Sequence, residues 1–241
     1  MKHLRNAKTY KAVGGGAQPV QTVQAAGAHR RGAPKTARAT GKRGLHDLLE
    51  LYNGLSGFHA NTLGLGDFKT TYGEVSEQGT HTLSDKFQTY APLSKISAAR
   101  KNFYDLGSGI GRLVVGIAIL NSEIQAHGIE IVPDRIRAAR EAMNRIKHKD
   151  VARRIHISQG SFLEPNTSYR DACWIFISNI LFNDATQKGL SEKIEREVGP
   201  GTVIICCKEL FFDKTKMESV ATAIIPMTWS KTSVCYIYRR L

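Results

Sequence analysis

The sequence predicts an α/β fold with a doubly wound, mostly parallel sheet, and three observations lead to this prediction. Apolar, strand-like segments alternate along the chain with segments that have helical spacing. Residues 172–178 are almost uniformly apolar, as expected for a central parallel strand that is covered on both faces. A glycine-rich turn joins the first strand of the series to a helix. In folds of this kind, ligands bind outside the carboxyl ends of the strands.

Five segments have the periodicity of helices. Leucines and Tyr52 recur at helical spacing in the first segment, and Gly54 follows as a stop signal. The second segment places Leu83 and Phe87 on one face, and the third is apolar enough to face the core. Pro133 opens the fourth segment, whose basic C-terminal end the helix dipole favours. The predicted helices cover residues 45–52, 82–91, 112–120, 133–149 and 187–198.

Six short apolar segments, rich in β-branched and aromatic residues, predict strands. The first five alternate with the helices and are therefore expected to be parallel, whereas the last has a period of two. Residues 58–79 are rich in turn-forming residues and have no clear period. The predicted strands cover residues 102–105, 123–130, 155–158, 172–178, 202–207 and 233–239.

Positive charge is concentrated at the N-terminus of this chain, whose net charge is +13. Residues 1–44 contain ten Lys or Arg and no Asp or Glu, whereas the remainder has 24 basic and 21 acidic residues. Few large apolar residues occur in this stretch, so we predict a disordered tail. Basic arms bind polyanions such as DNA. An acid-free, arginine-containing N-terminus is also compatible with a mitochondrial transit peptide.

These features divide the chain into a basic tail over residues 1–44, a helical and loop segment over 45–100, and a catalytic core over 101–241. No apolar run is long enough for a membrane span, so a membrane partner is not expected. The four cysteines form no CxxC pair and lie in apolar, strand-like runs, which indicates buried thiols in a reducing compartment. A metal site is not expected either.

The turn after the first predicted strand reads Asp105-Leu-Gly-Ser-Gly-Ile-Gly. A strand, a glycine turn and a helix together direct backbone N–H groups and a helix N-terminus at a ligand. Gly107 and Gly109 allow that ligand to approach the main chain closely. Glu130, at the end of the second strand, is placed to accept hydrogen bonds from both ribose hydroxyls of a nucleoside. An ordinary glycine turn of another α/β protein is the alternative, and Glu130 argues against it.

The spacing of this turn favours S-adenosylmethionine over a dinucleotide. Dinucleotide folds require G-x-G-x-x-G, whereas the pattern here is D-x-G-x-G-x-G. Asp105 would repel a pyrophosphate, but it suits the cationic ammonium and sulfonium groups of S-adenosylmethionine. We therefore expect the fold of class I S-adenosylmethionine-dependent methyltransferases, with S-adenosylhomocysteine as the product.

Two further strand ends carry candidate site residues. Ser161 and Phe162 follow the third strand, where a hydroxyl and a ring can meet the edge and the face of an adenine. Asn179 follows the fourth strand, where methyl transfer is expected, and its amide can position a cationic group or an amine without adding charge. On position alone, Ser161 and Asn179 are equally well explained as turn residues.

Several motifs, in their order and spacing, resemble those of the non-SET histone-lysine methyltransferases known as disruptors of telomeric silencing. The resemblance covers roughly residues 58–241. The glycine turn is shared by many methyltransferases, whereas T-Y-G-E, N-x-x-F and a late T-W together are much more specific. The matching segments are Thr71-Tyr-Gly-Glu74, residues 105–111, Glu130, Gly160-Ser-Phe162, Asn179-Ile-Leu-Phe182, Thr228-Trp229-Ser230 and Tyr236.

The resemblance implies a role for each matching residue. A loop containing Tyr72 and Glu74 would fold over the cofactor, with Glu74 at its amino-acid end. Asp105 would hold the methionine ammonium, and Asn179 would lie beside the methyl group. The residues implied to bind the cofactor are Tyr72, Glu74, Asp105, Gly107, Gly109, Glu130, Ser161, Phe162 and Asn179.

A second set is implied to form the catalytic channel for the substrate lysine, namely Asn179, Phe182, Trp229 and Tyr236. Aromatic walls suit such a channel because they pack the aliphatic stem of lysine and stabilise a methylated ammonium. Without the resemblance, Trp229 and Tyr236 are better explained as core residues. The resemblance also implies a nuclear protein whose partner is the nucleosome. Its substrate would be a lysine in the globular part of the third core histone, with the basic tail on DNA.

The chain departs from the family pattern at several positions. Ser178 and Ile180 stand where N-N-F is usual, and Arg112 stands where an uncharged amide is expected. Val75 replaces a small hydroxyl residue. These changes leave the number of transferred methyl groups open, and with the compact size they suggest a protozoan-type branch.

Other functions fit the sequence less well. Methylation of a base amine would require D/N/S-P-P-Y/F/W after the fourth strand, and arginine methylation would require two glutamates there; the sequence has neither. An RNA or small-molecule methyltransferase, in mitochondria, is the main alternative, and it rests on the tail. A non-catalytic chromatin-binding module is a third, weakened by the intact cofactor residues.

Overall fold

The computed structural model describes residues 44–45, 50–58, 60–61 and 72–241. Most of the predicted tail, part of the first predicted helix and Thr71 therefore lie outside the described residues. Leu45 and residues 50–51 are helical, as expected for the helix predicted over residues 45–52.

In the described part of the chain, seven strands form one mixed sheet in the order β3-β2-β1-β4-β5-β7-β6. The first five strands are parallel to their neighbours, whereas β7 is antiparallel to both β5 and β6. This confirms the predicted doubly wound, mostly parallel α/β fold. The strands are β1 (Asn102–Leu106), β2 (Gln125–Glu130), β3 (Ile155–Gln159), β4 (Ala172–Ile177), β5 (Val203–Cys206), β6 (Met217–Ile225) and β7 (Ser233–Arg240).

Helices pack against the sheet, and their starts have clear local causes. The Ser76 hydroxyl accepts a hydrogen bond from Gly79 N and begins the first helix, and the Asn183 side chain does the same for Thr186 N at the last. Pro133 is the first residue of the third, where its missing N–H is not needed. The helices are α1 (Glu77–Tyr90), α2 (Arg112–Leu120), α3 (Pro133–Asn144), α4 (Lys149–Ala152) and α5 (Asp184–Glu197), with two 3-10 turns at Leu93–Lys95 and Ala98–Arg100.

Alternate residues of the central strands face two separate hydrophobic clusters. Phe103 and Trp174 belong to the cluster that contains the buried faces of α1 and α2. Tyr104 and Ile175, the next residues along the same strands, belong to the cluster that contains Leu190 of α5. Both faces of β1 and β4 are therefore covered, which explains why these strands are apolar throughout.

The largest differences from the sequence predictions concern three helix boundaries, the short helix α4 and strand β6, whereas the predicted strand ends differ by at most two residues. Helix α1 begins five residues early because Ser76 caps it, and α3 ends at Asn144, after which the Arg145 guanidinium donates to the carbonyls of Leu51 and Asn53. Helix α5 begins at its Asn183 cap. Strand β6 was not predicted because its inward-facing residues alternate irregularly around a register shift near residue 220.

The connection from β3 to β4 is held by side chains and contains no helix. The buried Lys193 ammonium donates to the carbonyls of Glu164 and Thr167, and it is paired with Glu197 at 2.8 Å. The Tyr169 hydroxyl donates to the Phe162 carbonyl at 2.7 Å. These bonds fix Ser161 and Phe162 beyond the end of β3.

All four cysteines are unpaired and buried, in agreement with the sequence prediction. Among the residues that the structure describes, no helix has both the length and the apolar character to cross a membrane.

Candidate active site

A cavity of about 340 Å³ lies at the carboxyl ends of the parallel strands. This is the position that a doubly wound sheet predicts for its ligand. Ten of the residues implicated by the sequence line it: Tyr72, Glu74, Asp105, Gly107, Gly109, Glu130, Ser161, Phe162, Phe182 and Trp229.

The glycine turn after β1 shapes one wall of this cavity. Gly107 and Gly109 have φ values of 90° and 57°, which side chains with a Cβ rarely adopt. A Cβ on Gly109 would lie 2.6 Å from the Tyr72 ring, whereas one on Gly107 would meet only Phe182, at 3.9 Å. The main chain at Gly107 is thus open to a ligand.

Glu130 is buried at the end of β2, and its carboxylate ties the glycine turn to β2. One oxygen accepts a hydrogen bond from Gly109 N at 2.8 Å, and the other accepts from Val132 N at 2.9 Å. The Arg135 guanidinium lies 3.9 Å from the same carboxylate. We call residues 105–111 together with Glu130 the strand-end wall.

Asp105 stands at the base of the strand-end wall and is only 5% exposed. Burial, reinforced by the nearby carboxylate of Glu130, raises the pKa of Asp105 from 3.8 to about 8. A cation in the cavity would oppose both effects and favour the ionised carboxylate. The buried carboxyl groups of Asp105 and Glu130 therefore make the strand-end wall suited to binding a positively charged ligand.

A second wall of the cavity is formed by residues within 72–76 and 226–229, and we call these two segments the clamp. Thr228 N donates to the Glu74 carbonyl at 2.8 Å, and Glu74 N donates to the Thr228 hydroxyl at 3.0 Å. Ser76 adds two bonds to the Pro226 carbonyl, one from its amide and one from its hydroxyl. Two segments that are about 150 residues apart in the sequence are thereby fixed as one unit.

Acidic and basic side chains of the clamp and of α2 meet inside the cavity. The Tyr72 hydroxyl donates to Glu74 Oε1 at 2.5 Å, and Arg112 Nε lies 2.8 Å from the same oxygen. Burial and the Glu74 carboxylate raise the pKa of Tyr72 far above its usual range. The Arg135 guanidinium lies 4.7 Å from the centre of the Tyr72 ring.

Aromatic residues surround the rest of the cavity. Phe162 and Phe182 are stacked, with ring centres 5.2 Å apart. Trp229 is 45% exposed and lies on Gly73, where an added Cβ would be 2.4 Å from its ring. Trp229 is therefore not a core residue. Together with Ile180 and Leu181, which also line the cavity and are exposed, it forms what we call the apolar rim.

Two of the sequence-predicted site residues are not brought to the cavity. Asn179 is completely buried, and its amide is used by Gln187 and by the backbone of Lys208. In this arrangement Asn179 holds the turn after β4 in place. Tyr236 pairs with Cys206 and Thr222 in the sheet and packs with the cluster beneath α5. The hydroxyl of Ser161, which does line the cavity, also accepts a turn bond from Leu163 N.

Several lining residues were not assigned to the site from the sequence. The most important are Arg112 and Arg135, two cations that line the cavity. Arg112 departs from the family pattern in the sequence, and its charge is the available signal. Arg135, a residue of α3 that the sequence gives no reason to single out, is buried beside Glu130.

Comparisons of sequence support one family. The family model described as "Histone methylation protein DOT1" matches residues 67–234. A curated protein from Saccharolobus islandicus (strain REY15A), named "Protein-lysine N-methyltransferase", is 33% identical over 103 residues. That match covers 42% of this chain and 58% of the relative's length.

Comparisons of structure support the fold. A methyltransferase from Geobacter sulfurreducens aligns with a TM-score of 0.50 and 14% identity, covering 88% of this chain and 93% of its own. The mitomycin 7-O-methyltransferase MmcR aligns with a TM-score of 0.51 and 14% identity, covering 85% of this chain and 68% of its own. At this identity the similarity concerns the fold alone, which is that of class I methyltransferases.

Proposed function

Since the chain belongs to the DOT1 histone methylation protein family, we propose that it transfers a methyl group from S-adenosylmethionine to a protein lysine. The acceptor is a lysine ε-amine in the globular region of a nucleosomal core histone of the third type. The match to a protein-lysine N-methyltransferase supports lysine as the acceptor. The observation that carries the proposal is a single cavity with buried carboxylates at its base and an apolar, partly aromatic rim.

The residues of the strand-end wall suit S-adenosylmethionine. Asp105 faces the methionine ammonium and Glu130 the ribose hydroxyls, because carboxylates attract the first and accept hydrogen bonds from the second. Ser161 and Phe162 lie where they would meet the adenine. When bound, S-adenosylmethionine would supply a methyl group on a sulfonium, whose sulfur leaves readily with the bonding electron pair as the neutral thioether of S-adenosylhomocysteine.

The protein's part in the reaction is to align the lysine and to exclude water. Placing an amine in line with a methyl carbon accounts for much of the rate enhancement in such reactions. Phe182 and the apolar rim, which carry no titratable side chain, would pack the lysine stem and stabilise the methylated ammonium. Desolvation between these side chains disfavours the charged lysine, so its proton leaves to solvent and no dedicated base is required.

The basic tail and the nuclear location complete the proposal. Residues 1–44 supply ten positive charges that would bind nucleosomal DNA. The boundaries at residues 44 and 100 remain predictions. The same tail also suits an RNA or small-molecule methyltransferase carried into mitochondria, and Edman sequencing of the protein from its native cell distinguishes the two. A mature N-terminus near residue 45 would contradict the chromatin role.

Incubation with methyl-labelled S-adenosylmethionine and a panel of acceptors tests the proposal. The panel contains intact nucleosomes, free histones and RNA, and Asp105→Asn is the matched variant that removes charge without changing size. We expect label on nucleosomal histone with the wild-type protein and little with Asp105→Asn. Label on RNA alone would contradict the lysine assignment.

A further inference from the structure

Arg112 has a position in the cavity that the family pattern does not anticipate. It is the first residue of α2, directly after Gly111, and its side chain is 24% exposed. The guanidinium lies 4.6 Å from the centre of the Tyr52 ring, and Nε lies 2.8 Å from Glu74 Oε1. Tyr52 and Glu74 thus hold it from two sides.

The hydrogen-bonding capacity of this guanidinium is almost unused. An arginine has five N–H donors. The Nε–H is not aligned with the Glu74 oxygen, so that contact is electrostatic. Within residues 44–45, 50–58, 60–61 and 72–241, no group accepts a hydrogen bond from the side chain of Arg112. A cation with free donors therefore borders the cavity.

The balance of charge in the cavity identifies what those donors would bind. Three carboxylates line it, those of Glu74, Asp105 and Glu130. They attract the ammonium and the sulfonium of S-adenosylmethionine, but they repel its α-carboxylate. That carboxylate needs a cation of its own.

Only two cationic residues line the described part of the cavity, and one is engaged elsewhere. Arg135 lies against Glu130 and the Tyr72 ring, and its Nε donates to the Gly57 carbonyl. Arg112 remains, at the N-terminus of the nine-residue helix α2, where the helix dipole also favours an anion.

We propose that Arg112 binds the α-carboxylate of S-adenosylmethionine through the free edge of its guanidinium. Glu74 and the Tyr52 ring orient the guanidinium. Glu74 also lies close enough to Arg112 to contact the methionine end of the same cofactor. A guanidinium binds a carboxylate with charge and with two parallel hydrogen bonds, which an uncharged amide does not offer. This inference rests on the proposed function, since it assigns one group of the same cofactor.

Binding of two ligands to two variants tests it. Decarboxylated S-adenosylmethionine keeps the ammonium and the sulfonium but lacks the carboxylate. By calorimetry, we expect the wild-type protein to bind S-adenosylmethionine at least about tenfold more tightly than the decarboxylated compound. Arg112→Met should reduce this preference to about threefold or less, because it weakens the binding of S-adenosylmethionine only. Arg112→Lys, which keeps the charge without the planar fork, should give an intermediate preference.

Each other result has a definite meaning. Arg196→Met, a change on the exposed side of α5, is the control and should leave both affinities unchanged. If Arg112→Met weakens the binding of both ligands equally, or leaves the preference for S-adenosylmethionine intact, Arg112 does not bind the carboxylate. If the wild-type protein binds neither ligand, the proposed function fails and this inference fails with it. Melting temperatures of all variants identify any that do not fold.

Discussion

The strand-end wall and the clamp line the same cavity, but the residues whose contacts hold each wall together are separated by very different distances in the sequence. In the strand-end wall, Gly107 N and Ser108 N donate to the Ile129 carbonyl, and Gly109 N donates to Glu130. These partners are about twenty residues apart, with the donors in the turn after β1 and the acceptors at the end of the adjacent strand β2. In the clamp, Glu74 and Thr228 are 154 residues apart.

This difference separates binding from alignment. The strand-end wall is rigid, because its hydrogen bonds continue the ladder of the central sheet, and it presents the acidic groups that suit a cationic cofactor. The clamp carries Trp229 and contributes to the apolar rim, where the acceptor would enter. Changes in the strand-end wall should therefore alter cofactor affinity, whereas a change at Trp229, which is assigned to the acceptor, should alter turnover.

Removal of Glu130 should have the largest effect. We expect Glu130→Ala to weaken S-adenosylmethionine binding by about 2–3 kcal/mol, since a charged hydrogen-bond acceptor is removed. Two buried N–H groups, of Gly109 and Val132, also lose their partner, so the melting temperature should fall. Glu130→Gln keeps one acceptor oxygen, so its affinity for S-adenosylmethionine should lie between those of the wild-type protein and Glu130→Ala. Calorimetry measures the affinities, and an unchanged dissociation constant would remove Glu130 from the site.

Removal of Trp229 should separate the walls most clearly. We expect Trp229→Ala to lower kcat on nucleosomes about 10- to 50-fold, because the acceptor loses its alignment. Cofactor affinity should stay within about twofold, and the melting temperature should change little, since Trp229 is 45% exposed. Phe211→Ala, a change at another exposed aromatic residue outside the cavity lining, is the control. A matching decrease in cofactor affinity would show that the walls are not independent.

The acidity of Asp105 gives the strand-end wall a pH dependence. The pKa of Asp105 is about 8 in the folded protein and 3.8 as the ordinary value. Between these values the folded chain holds a proton on Asp105 that the unfolded chain has released, so the contribution of Asp105 to the free energy of unfolding should decrease as pH rises from about 4 to 8. Burial lowers the pKa of His127 from 6.5 to about 4, which opposes this decrease below pH 6.5, so a net decrease is expected between about pH 6.5 and 8. Chemical denaturation at several pH values should show that Asp105→Asn removes the decrease in that range.

Cofactor binding should respond to pH in the opposite sense. Ionised Asp105 pairs best with the ammonium, so binding below pH 8 releases a proton, and affinity should rise up to about tenfold between pH 6 and 7. Calorimetry in buffers with different ionisation enthalpies measures the released proton. A pH-independent affinity in the wild-type protein would contradict the assignment.

The N-terminal charges should affect neither wall. Replacement of the ten Lys and Arg residues of positions 1–44 by Gln should leave cofactor affinity and kcat unchanged, because phosphate contacts position a protein without aligning reacting atoms. Nucleosome binding should become less salt-dependent, by about 0.9 in the log–log slope for each phosphate that the tail no longer neutralises. An unchanged slope would show that the tail does not touch DNA.

The strand-end wall could be predicted from the sequence because its information is local. A buried strand, a glycine turn and an acidic residue one strand later fix the positions of Asp105, Gly107 and Glu130 with little help from the rest of the chain. Hydrophobic periodicity and the turn-forming residues between segments also predicted six of the seven strands. Strand β6 was missed because its partner β7 and its register shift, not its own sequence, determine its path.

Sequence reasoning was weaker where a residue's role depends on distant partners. The Asn179 amide follows β4 as expected, but Gln187 and the Lys208 backbone occupy its hydrogen bonds. Trp229 reaches the cavity because Thr228 binds Glu74, a contact that no local pattern reveals. The role of Arg112 likewise depends on its neighbours Glu74 and Tyr52.

The identity of the methylated atom provides the most direct test of lysine methylation on the nucleosome. Nucleosomes are incubated with the wild-type protein and methyl-labelled S-adenosylmethionine, and the histones are then mapped by tandem mass spectrometry. We expect label on a lysine ε-amine in the globular region of the third core histone, and its disappearance when that lysine is replaced by arginine. Label confined to a histone tail, to an arginine or to a nucleic-acid base would contradict this assignment.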